Sequence, residues 1–330
     1  MNNVAVIGLG SIAQRHRENL RHRFPKAKIY ACSSSGRNVN EKINFCDNLV
    51  GSLDKLLNIS LDLVIVASPA SHHASHALPF IKKGIPTLIE KPLTLSANDA
   101  ELLIKERDKS GCKVGVGYCL RFMSTMKKLK TIIEGNEFGK ILHIECQVGQ
   151  DLKDWRSNMP VSNTVSTNSM LGGGVVNELS HELDYLLWLF DEIKFKSGML
   201  SFTGRYSKSV EDMADIFLVS KNSVPIFIHL DYLQQYPRRF MNILTESGRI
   251  KIDIINKSID FYSKDNNLTI FNDSNETSNE KYLNMLEEFS QKINGQENEI
   301  VSLEEGKEVV RLIEKIKHSS DRIGFSGDEI

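Results

Sequence analysis

The first 120 residues alternate short apolar segments with amphipathic ones, and this alternation constrains the fold more than any other feature of the sequence. The apolar segments are rich in valine and isoleucine, as expected for strands that are buried on both faces. These strands are predicted at residues 4–7, 28–32, 61–67, 86–89 and 113–116. Helices are predicted between them at residues 12–22, 52–57, 73–83 and 96–109. Such alternation predicts a parallel α/β sheet with right-handed crossovers.

The pattern changes after residue 120. Helices are predicted at residues 123–134 and 174–190, a long strand at 140–149, and an irregular polar segment at 151–171. Alternating apolar and polar residues then predict an antiparallel sheet with one solvated face. Its strands are placed at residues 199–205, 213–220, 225–232, 239–246, 249–254, 258–262 and 268–271. The chain is expected to end with helices at 280–292 and 303–317 and a loose tail at 323–330.

The change of pattern predicts two α/β domains, which agrees with a length of 330 residues at roughly 150 residues per domain. Residues 1–120 are expected to form a Rossmann-type, doubly wound parallel sheet. Residues 121–330 are expected to form an α/β domain with a large open, mostly antiparallel sheet.

Composition excludes several classes of protein. A net charge of −1 gives no electrostatic case for nucleic acid or an anionic membrane as the main partner. No apolar run approaches the roughly 20 residues that span a bilayer, and no signal peptide is evident. The cysteines are odd in number and include no CxxC pair, so reduced thiols and a cytoplasmic location are expected. They lie at Cys32, Cys46, Cys112, Cys119 and Cys146.

A glycine fingerprint lies between the first strand and the first helix. Gly8-Leu9-Gly10-Ser11-Ile12-Ala13 fits G-x-G-x-x-G/A. Gly8 would permit the tight turn and Gly10 a close approach of backbone to a pyrophosphate. The helix N-terminus, at Ser11 and Ile12, would offer N–H groups and a positive dipole end to the phosphates. The fingerprint predicts dinucleotide binding; a merely structural glycine turn is the alternative.

The end of the second strand bears on the choice of dinucleotide. An NAD site usually has an acidic residue here that accepts a hydrogen bond from the ribose 2′-hydroxyl. This sequence instead has Ser33, Ser34 and then Arg37, and arginine binds a 2′-phosphate well. NADP is therefore expected, with NAD possible; the alternative is a solvated loop with an incidental arginine.

Motifs further along the chain carry a resemblance to a known family. Ser68-Pro69, His73, Glu90-Lys91-Pro92, Gly117-Tyr118 and Arg121-Phe122 are followed by Gly172-Gly173-Gly174 and by Glu178-Leu179-Ser180-His181-Glu182-Leu183-Asp184. In this combination the sequence resembles the glucose–fructose oxidoreductase / inositol dehydrogenase (Gfo/Idh/MocA) family. The match runs from residue 4 to about residue 190.

The resemblance implies a Rossmann domain and a second α/β domain with substrate bound between them. It implies NAD(P)-dependent oxidation or reduction of a sugar, a cyclitol or a sugar derivative. Ser68, Pro69, His73, Glu90 and Lys91 would contribute to the cofactor site, with the lysine also contacting the substrate hydroxyl. Many relatives pair their open sheets, so a homodimer or homotetramer is expected.

The chemistry of alcohol oxidation indicates two catalytic residues. Such a reaction needs a base that titrates near the working pH, which suits His181. A cation near the carbinol oxygen would stabilise the developing alkoxide, which suits Lys91 at the end of a strand. The alternatives are an interior histidine on an amphipathic helix and a surface lysine before a rigid proline.

The helix that carries His181 departs from the family at one position. Many members have Asp four residues before the histidine, where this chain has Asn177 followed by Glu178. Asparagine can bind a hydroxyl but cannot accept a proton at neutral pH. Helical spacing would put these residues and Asp184 near one face. Either Asn177 or Glu178 is expected to orient the substrate, while Asp184 has equal cases as a substrate contact and as a structural hydrogen-bonding group.

Four further residues are candidate substrate contacts. Tyr118 and Arg121 follow the fifth predicted strand, and Trp155 and Arg156 lie in the irregular segment. An aromatic ring can stack on a sugar, and arginine can bind a carboxylate or phosphate; the alternative is a packed surface loop. The stretch 148–156 resembles a sub-group associated with bacterial surface-sugar biosynthesis, which points to a sugar, an acidic sugar or a nucleotide-activated sugar.

Other functions remain as alternatives at this stage. His72, His73 and His76 lie close together, but no cysteine or carboxylate completes a zinc set nearby, so no metal is expected. An NAD-dependent glycosidase of the same fold would oxidise its substrate only transiently. A non-catalytic, redox-sensing NADP-binding protein would bind the cofactor without turnover.

Overall fold

The computed structural model describes residues 1–35, 42–155 and 160–324. The chain forms two compact units. Unit 1 comprises Met1–Cys119 and Lys281–Arg311, and unit 2 comprises Leu120–Glu280 and Leu312–Ile330. The first change of unit falls close to the predicted join at residue 120. The predicted assignment of all of 121–330 to one domain differs from this division, because the chain returns to unit 1.

Residues 1–119 form alternating strands and helices close to the predicted positions. The strands are β1 (Asn3–Ile7), β2 (Lys28–Cys32), β3 (Asn48–Val50), β4 (Leu63–Val66), β5 (Thr87–Ile89) and β6 (Val114–Val116). The helices are α1 (Ser11–Arg23), α2 (Leu53–Leu57), α3 (His73–Lys82) and α4 (Ala97–Ser110).

The rest of the chain contains the longer strands. The helices are α5 (Ser124–Glu134), α6 (Leu152–Trp155), α7 (Val175–Glu178), α8 (His181–Phe190), α9 (Glu280–Ile293) and α10 (Leu303–Ser319). The strands are β7 (Ile141–Gly149), β8 (Ile193–Phe202), β9 (Met213–Ser220), β10 (Pro225–Asp231), β11 (Arg238–Thr245), β12 (Arg249–Asp253), β13 (Ser258–Tyr262), β14 (Asn267–Asn272) and β15 (Asp321–Gly324).

The sheet of unit 1 has the order β3-β2-β1-β4-β5-β6, and all its neighbours pair in parallel. This confirms the doubly wound sheet. The strand order reverses between β1 and β4, and the carboxyl ends of strands at such a reversal are where these sheets bind ligands. Strand β3 was not predicted because its residues are half-buried or exposed and give no continuous apolar segment, unlike the equally short but buried β5 and β6.

The return of the chain to unit 1 has a packing reason. A Cβ atom added at Gly115 in β6 would lie within 3.0 Å of Phe289 and Ile300. The segment from Phe289 to Val301 therefore packs directly against the edge strand β6. Val301 also forms an isolated antiparallel bridge with Val116. Edge strands expose unpaired backbone groups, and this segment covers part of the β6 edge.

The sheet of unit 2 has the order β14-β13-β12-β11-β7-β10-β9-β8-β15. It is mostly antiparallel, as predicted, but β7 pairs with β10 in parallel and β8 with β15 in parallel. The expectation of a loose tail from residue 323 is wrong for Ile323 and Gly324, because they pair with Ser201 and Phe202 of β8. Residues 325–330 lie outside the described part of the chain.

The two faces of this sheet differ in character. In β10, Ile226, Ile228 and Leu230 are buried, whereas Phe227 and His229 between them are exposed or half-exposed. Alternation with a period of two places these sets on opposite faces, and α5, α7 and α8 contact strands of the sheet. Among the described residues, no helix is both long and apolar enough to cross a bilayer.

Candidate cofactor and substrate site

The turn after β1 requires glycine at residue 8. Gly8 has a φ of +120°, and a Cβ atom there would lie within 2.8 Å of the Ala67 carbonyl carbon at the end of β4. Its N–H donates a hydrogen bond to the Cys32 carbonyl oxygen at 2.8 Å. The turn is therefore fitted against both neighbouring strands, where any side chain would clash and be strained.

The start of α1 is open to a ligand. Gly10 is the N-cap residue and offers no side-chain hydrogen bond to the first turn. A Cβ atom at Gly10 would meet no protein atom within 4 Å, and Ser11 is exposed. Backbone N–H groups at a helix start attract anions. These features fit a dinucleotide pyrophosphate, which Gly8, Gly10, Ser11 and Ile12 would hold.

A buried arginine that was not among the predicted site residues lies beneath this turn. The Arg17 guanidinium donates hydrogen bonds to the carbonyl oxygens of Gly8 at 3.2 Å and Asn44 at 3.0 Å. Burial lowers the pKa of Arg17. The spacing of Arg17 from Ala13 and Leu20, which are also buried, was a usable signal that it lies on the inner face of α1.

The end of β2 retains the polar, non-acidic character seen in the sequence. Ser33 is buried, Ser34 is half-exposed, and the hydroxyl oxygens of Ser33 and Ser35 lie 3.3 Å apart. Residues 33–35 contain no carboxylate that could accept from a ribose hydroxyl. Arg37, the expected 2′-phosphate ligand, lies outside the described residues.

The loop after β4 is tied to the Glu90-Lys91-Pro92 segment by His73. The buried His73 ring places Nε2 2.9 Å from the Ser68 carbonyl oxygen and Nδ1 2.9 Å from the Pro92 carbonyl oxygen. Burial lowers the pKa of His73. Because both nitrogen atoms lie against backbone, His73 joins two loops, and the structure favours this over direct cofactor contact. Pro69 is half-buried beside Ser68.

Glu90 is held by a partner that the sequence did not reveal. His16 Nε2 lies 2.7 Å from Glu90 Oε1, and both side chains are buried. The Lys91 N–H donates to Glu90 Oε2 at 3.1 Å. Burial raises the pKa of Glu90, but the hydrogen bond and charge of His16 and the charge of Lys91 outweigh it and leave the pKa lowered. Lys91 itself is half-exposed, and its peptide bond to Pro92 is cis.

The other histidines of this region pack together. The His72 and His76 rings stack with centroids 5.4 Å apart, and His76 Nδ1 lies 3.0 Å from the Ser68 hydroxyl oxygen. Burial, with the charges of His72 and His73, lowers the pKa of His76 to about 4. Across the described ranges, no group of three or more histidine, cysteine or acidic side chains is arranged to hold a metal ion.

In unit 2 the triple-glycine motif packs against a buried carboxylate. Gly174 has a φ of +103°, and a Cβ atom there would lie 2.7 Å from Glu211 Cδ. The Glu211 backbone oxygen accepts the Val175 N–H at 3.0 Å, and Lys317 Nζ lies 3.3 Å from Glu211 Oε1. The motif thus lets the chain pass close to Glu211.

The predicted single helix over 174–190 is wrong. It is broken at Leu179 and Ser180, so that α7 ends at Glu178 and α8 begins at His181. At the break the Glu182 N–H donates to the Leu179 carbonyl oxygen, three residues back, at 3.4 Å instead of following the α-helical pattern. The Asn177 side-chain amide donates to the carbonyl oxygens of Gly172 at 3.1 Å and Gly173 at 3.2 Å.

The break removes the helical-spacing argument that aligned Asn177 with His181. The Asn177 amide hydrogens serve the glycine backbone, and Glu178 Oε2 accepts from the Ser166 hydroxyl at 2.9 Å. Glu178 is half-exposed, whereas Asn177 is buried. Of the two expected substrate-orienting residues, the structure favours Glu178.

Arg121 and Asp184 form an ion pair. Arg121 Nη2 donates to Asp184 Oδ1 at 2.7 Å, and Arg121 Nε lies 3.1–3.2 Å from both carboxylate oxygens. The side chains are only 4% and 0% exposed. This geometry favours the structural alternative for Asp184 and gives Arg121 the same role, because each neutralises the other inside the protein.

A second arginine–carboxylate pair fixes α8 and was not predicted. Arg239 of β11 donates two hydrogen bonds of 2.8 Å to the two carboxylate oxygens of Glu182. Tyr185 adds a longer hydrogen bond of 3.3 Å to the same carboxylate. The residue after His181 is therefore anchored to the sheet, and His181 itself is 9% exposed at the first position of α8.

The remaining candidates have different environments. Tyr118 is fully buried, which leaves no exposed ring face for a sugar. Trp155 is half-buried and meets Tyr232 edge-on with centroids 5.4 Å apart. Arg156 lies outside the described residues. Trp155, the last residue of α6, therefore remains the better aromatic candidate for contact with a sugar.

Comparisons with known proteins agree with this architecture. Residues 2–118 match the family described as "Oxidoreductase family, NAD-binding Rossmann fold", and residues 126–251 match the "GFO/IDH/MocA C-terminal domain". The two matches cover most of the chain, and the protein belongs to the GFO/IDH/MocA family. The resemblance inferred from the motifs is confirmed.

Similar proteins include an inositol 2-dehydrogenase from Mycolicibacterium smegmatis, 26% identical over 57% of this chain and 53% of the relative. The chain thus spans about half the length of this curated relative. Among solved structures, a UDP-N-acetylglucosamine 3-dehydrogenase from Acidithiobacillus ferrooxidans has a TM-score of 0.77 at 18% identity, covering 97% and 98% of the two chains. A 3-ketoreductase from Actinomadura kijaniata, in complex with NADP and TDP-benzene, has a TM-score of 0.82 at 16% identity, covering 98% and 99%. At these identities the structures show a shared fold.

Proposed function

We propose that this protein is an NAD(P)-dependent oxidoreductase that transfers a hydride between nicotinamide and a hydroxyl- or keto-bearing carbon of a sugar, cyclitol or nucleotide-sugar derivative. One observation carries the proposal. Lys91 follows β5 at the same sheet edge as the Gly8 turn, to which it is connected through Ala67, Ser68 and the His73 bridge to Pro92. A dinucleotide turn and an adjacent lysine at a strand end are what hydride transfer to a carbinol needs.

The chain's own residues would divide the remaining work. When bound, the nicotinamide would accept or supply the hydride. The Lys91 ammonium would stabilise the negative charge that develops on the carbinol oxygen. The His181 imidazole would take the hydroxyl proton during oxidation and return it during reduction. Lys91 and His181 are therefore the proposed catalytic residues.

Kinetic variants test these two assignments. We expect Lys91→Ala and His181→Ala each to lower kcat by about 10²-fold or more, the usual scale for losing a positioned acid, base or charge. Lys82→Ala and His318→Ala, at exposed positions, are matched controls that should retain wild-type kcat. An unchanged kcat in His181→Ala would remove the base assignment, and an unchanged kcat in Lys91→Ala would remove the oxyanion role.

For the cofactor, we propose a preference for NADP. The support is the absence of a carboxylate at Ser33, Ser34 and Ser35, together with Arg37 in the sequence. Titration of nucleotide fluorescence should give a lower Kd for NADP than for NAD, and Arg37→Ala should remove the difference. Equal Kd values for the two nucleotides in the wild-type protein would overturn the preference.

For the substrate, we propose a polyhydroxylated ring, in a pathway of bacterial surface-polysaccharide sugars. The support is the relative named inositol 2-dehydrogenase and the aromatic and charged candidates Trp155, Arg156 and Glu178. The substrate can be identified by recording absorbance at 340 nm with each nucleotide against a panel of cyclitols, sugars and nucleotide sugars. Product formation without net NAD(P)H would indicate the glycosidase, and binding without any turnover would indicate the redox sensor.

We also propose that the protein is a homodimer or homotetramer, formed through the exposed face of the unit 2 sheet. This face carries the Phe217 and Phe227 rings, stacked at 4.8 Å, and the exposed side chains of Met199 and Leu244. Light scattering at micromolar concentration should give a multiple of 37.3 kDa, and Phe227→Glu should lower it. A wild-type monomer would contradict the proposal. We also propose a cytoplasmic location, because none of the cysteines forms a disulfide in the described part of the chain.

A further inference from the structure

Two buried histidines hold the residues on either side of Lys91. His16 contacts the Glu90 side chain, and His73 contacts the Pro92 carbonyl oxygen. We propose that His16 and His73 are positioning residues, which clamp the Glu90-Lys91-Pro92 backbone and so set where the Lys91 ammonium meets the substrate. This inference rests on the proposed function, because it gives Lys91 the oxyanion-stabilising role.

The His16 side of the clamp leaves Glu90 little freedom. Glu90 Oε1 is 2.7 Å from His16 Nε2, and Glu90 Oε2 accepts the Lys91 N–H at 3.1 Å. A Cβ atom at Gly117 would lie 3.2 Å from both Glu90 Cα and Cδ, so the backbone at Gly117 packs directly on this residue. The Tyr282 ring meets His16 edge-on at 6.3 Å. Both carboxylate oxygens are occupied, and one of them fixes the Lys91 amide.

The His73 side of the clamp connects Pro92 to the dinucleotide turn. Its two ring nitrogen atoms each lie 2.9 Å from a carbonyl oxygen, one of Ser68 and one of Pro92. Ser68 directly follows Ala67, the residue against which Gly8 packs. His73 therefore relates the position of Lys91 to the turn that would hold the cofactor. A misplacement of about 1 Å at a reacting group can cost about 10²-fold in rate, so this connection has a kinetic consequence.

Substitutions that imitate one ring nitrogen at a time test the clamp. A glutamine amide can replace imidazole Nε2, and an asparagine amide can replace Nδ1. His16→Gln retains the donor to Glu90, whereas His16→Ala removes it. An amide at His73→Asn can donate to the Pro92 carbonyl oxygen, whereas one at His73→Gln can donate only to the Ser68 carbonyl oxygen. Exposed His22 on α1 and exposed His72 beside α3 provide the matched controls His22→Ala and His72→Gln.

We expect His16→Ala and His73→Gln to lower kcat about tenfold or more, while His16→Gln and His73→Asn stay within about threefold of wild type. The nucleotide Kd, measured by fluorescence titration, should change by less than about threefold in all four, because the Gly8 turn is untouched. Equal losses of kcat in the imitating and non-imitating variants would overturn the clamp. So would losses of kcat that merely follow a loss of nucleotide binding.

A readout without turnover separates this inference from the proposed function. Lysines carrying ¹³C-dimethyl labels can be observed by NMR, with the Lys91 signal assigned by its loss in Lys91→Arg. The signal should move or broaden in His16→Ala and His73→Gln, but match wild type in His16→Gln, His73→Asn and both controls. An unmoved Lys91 signal in His16→Ala and His73→Gln would overturn the clamp even in an active enzyme. Failure of the wild-type protein to turn over any substrate would instead overturn the proposed function.

Discussion

The two proposed catalytic residues are held in place by different chemistry. Lys91 in unit 1 lies between residues that are fixed by the imidazoles of His16 and His73. His181 in unit 2 begins a helix that is fixed by two arginine–carboxylate pairs, through Glu182 and Asp184. Guanidinium is charged at every physiological pH, whereas a buried imidazole can contact its partners without a charge. One proposed catalytic residue is thus positioned through imidazole rings and the other through permanently charged guanidinium groups.

The largest expected effect comes from breaking a permanent anchor. Arg121→Met leaves the Asp184 carboxylate, which is fully buried, without its guanidinium. Removing one partner of a buried ion pair costs about 3–5 kcal/mol, because the remaining charge is uncompensated. Chemical denaturation should show a loss of this size in the free energy of unfolding.

Two controls locate the origin of that loss. Arg121→Met combined with Asp184→Leu removes both charges and should recover most of it, since apolar replacements of buried pairs are often neutral. Glu304→Gln breaks the more exposed pair with Arg107 and should cost less than about 1 kcal/mol. A single Arg121→Met variant as stable as Glu304→Gln would show that unit 2 does not depend on this anchor.

The glycines of the two units extend the comparison. Gly8 lies against the Ala67 backbone, whereas Gly174 lies against the Glu211 side chain. Both have positive φ angles, so alanine is strained at each. A side chain can move and a β-strand backbone cannot, so Gly8→Ala should destabilise by about 3 kcal/mol and Gly174→Ala by about 1–2 kcal/mol. Thermal and denaturant unfolding measure both losses.

Gly10→Ala is the matched control for Gly8→Ala. Its φ is −73°, and a Cβ atom there meets open space, so stability should be unchanged. The added methyl group would occupy the space proposed for the pyrophosphate, so nucleotide affinity should fall about tenfold, or 1.4 kcal/mol. Unchanged nucleotide affinity in Gly10→Ala would contradict the placement of the phosphates.

Local pattern was sufficient to predict most of the elements. Strands β9 and β13 occupy the predicted ranges because alternating apolar residues specify both their extent and their buried face. The glycine turn and Lys91 could be placed because each follows a short apolar strand. The break between α7 and α8 could not be predicted, because the apolar residues Val175, Val176, Leu179 and Leu183 continue the helical pattern across it.

The anchors of the two proposed catalytic residues also depend on residues far apart in the sequence and were not predicted. His16 and Glu90 are 74 residues apart, and Glu182 and Arg239 are 57 apart. Periodicity can show that such a side chain faces inward, but it cannot name the partner. Arg121 was identified as a candidate substrate contact, and Asp184 as either a substrate contact or a structural group, but no local pattern showed that the two bind each other.

A smaller effect is expected on the acid side, in unit 1. Burial and neighbouring histidines lower the pKa of His76 to about 4. In the unfolded chain His76 is protonated below about pH 6.5, whereas in the folded state it stays neutral down to about pH 4. The free energy of unfolding therefore falls as the pH falls from about 6.5 to 4. His76→Gln should remove up to about 2 kcal/mol of this acid-side loss, measured by denaturation at several pH values. His22→Gln, at an exposed position of the same unit, should leave the acid-side slope unchanged.

The smallest expected effect has the opposite sign and lies in unit 2. His229 on the exposed sheet face lies 2.7 Å from Asp215 and 3.1 Å from Asp231, and their hydrogen bonds raise the pKa of His229 to about 9. A raised folded-state pKa gives stability that is complete below pH 6.5 and is lost as the pH rises towards 9. Because the histidine side chain is 30% exposed, screening should reduce this to about 1 kcal/mol.

His229→Gln should therefore flatten the alkaline side of the stability curve and leave the acid side as in wild type. His318→Gln, which lacks paired carboxylates among its described contacts, is the matched control and should preserve the alkaline loss. Opposite slopes of stability against pH, one removed by His76→Gln and the other by His229→Gln, would establish a difference between the units. Unit 1 would then hold a neutral imidazole at His76, and unit 2 a charged one at His229. If His229→Gln still lost stability as the pH rose, the loss would belong to other titratable groups. The difference between the two units would then rest on the arginine–carboxylate pairs alone.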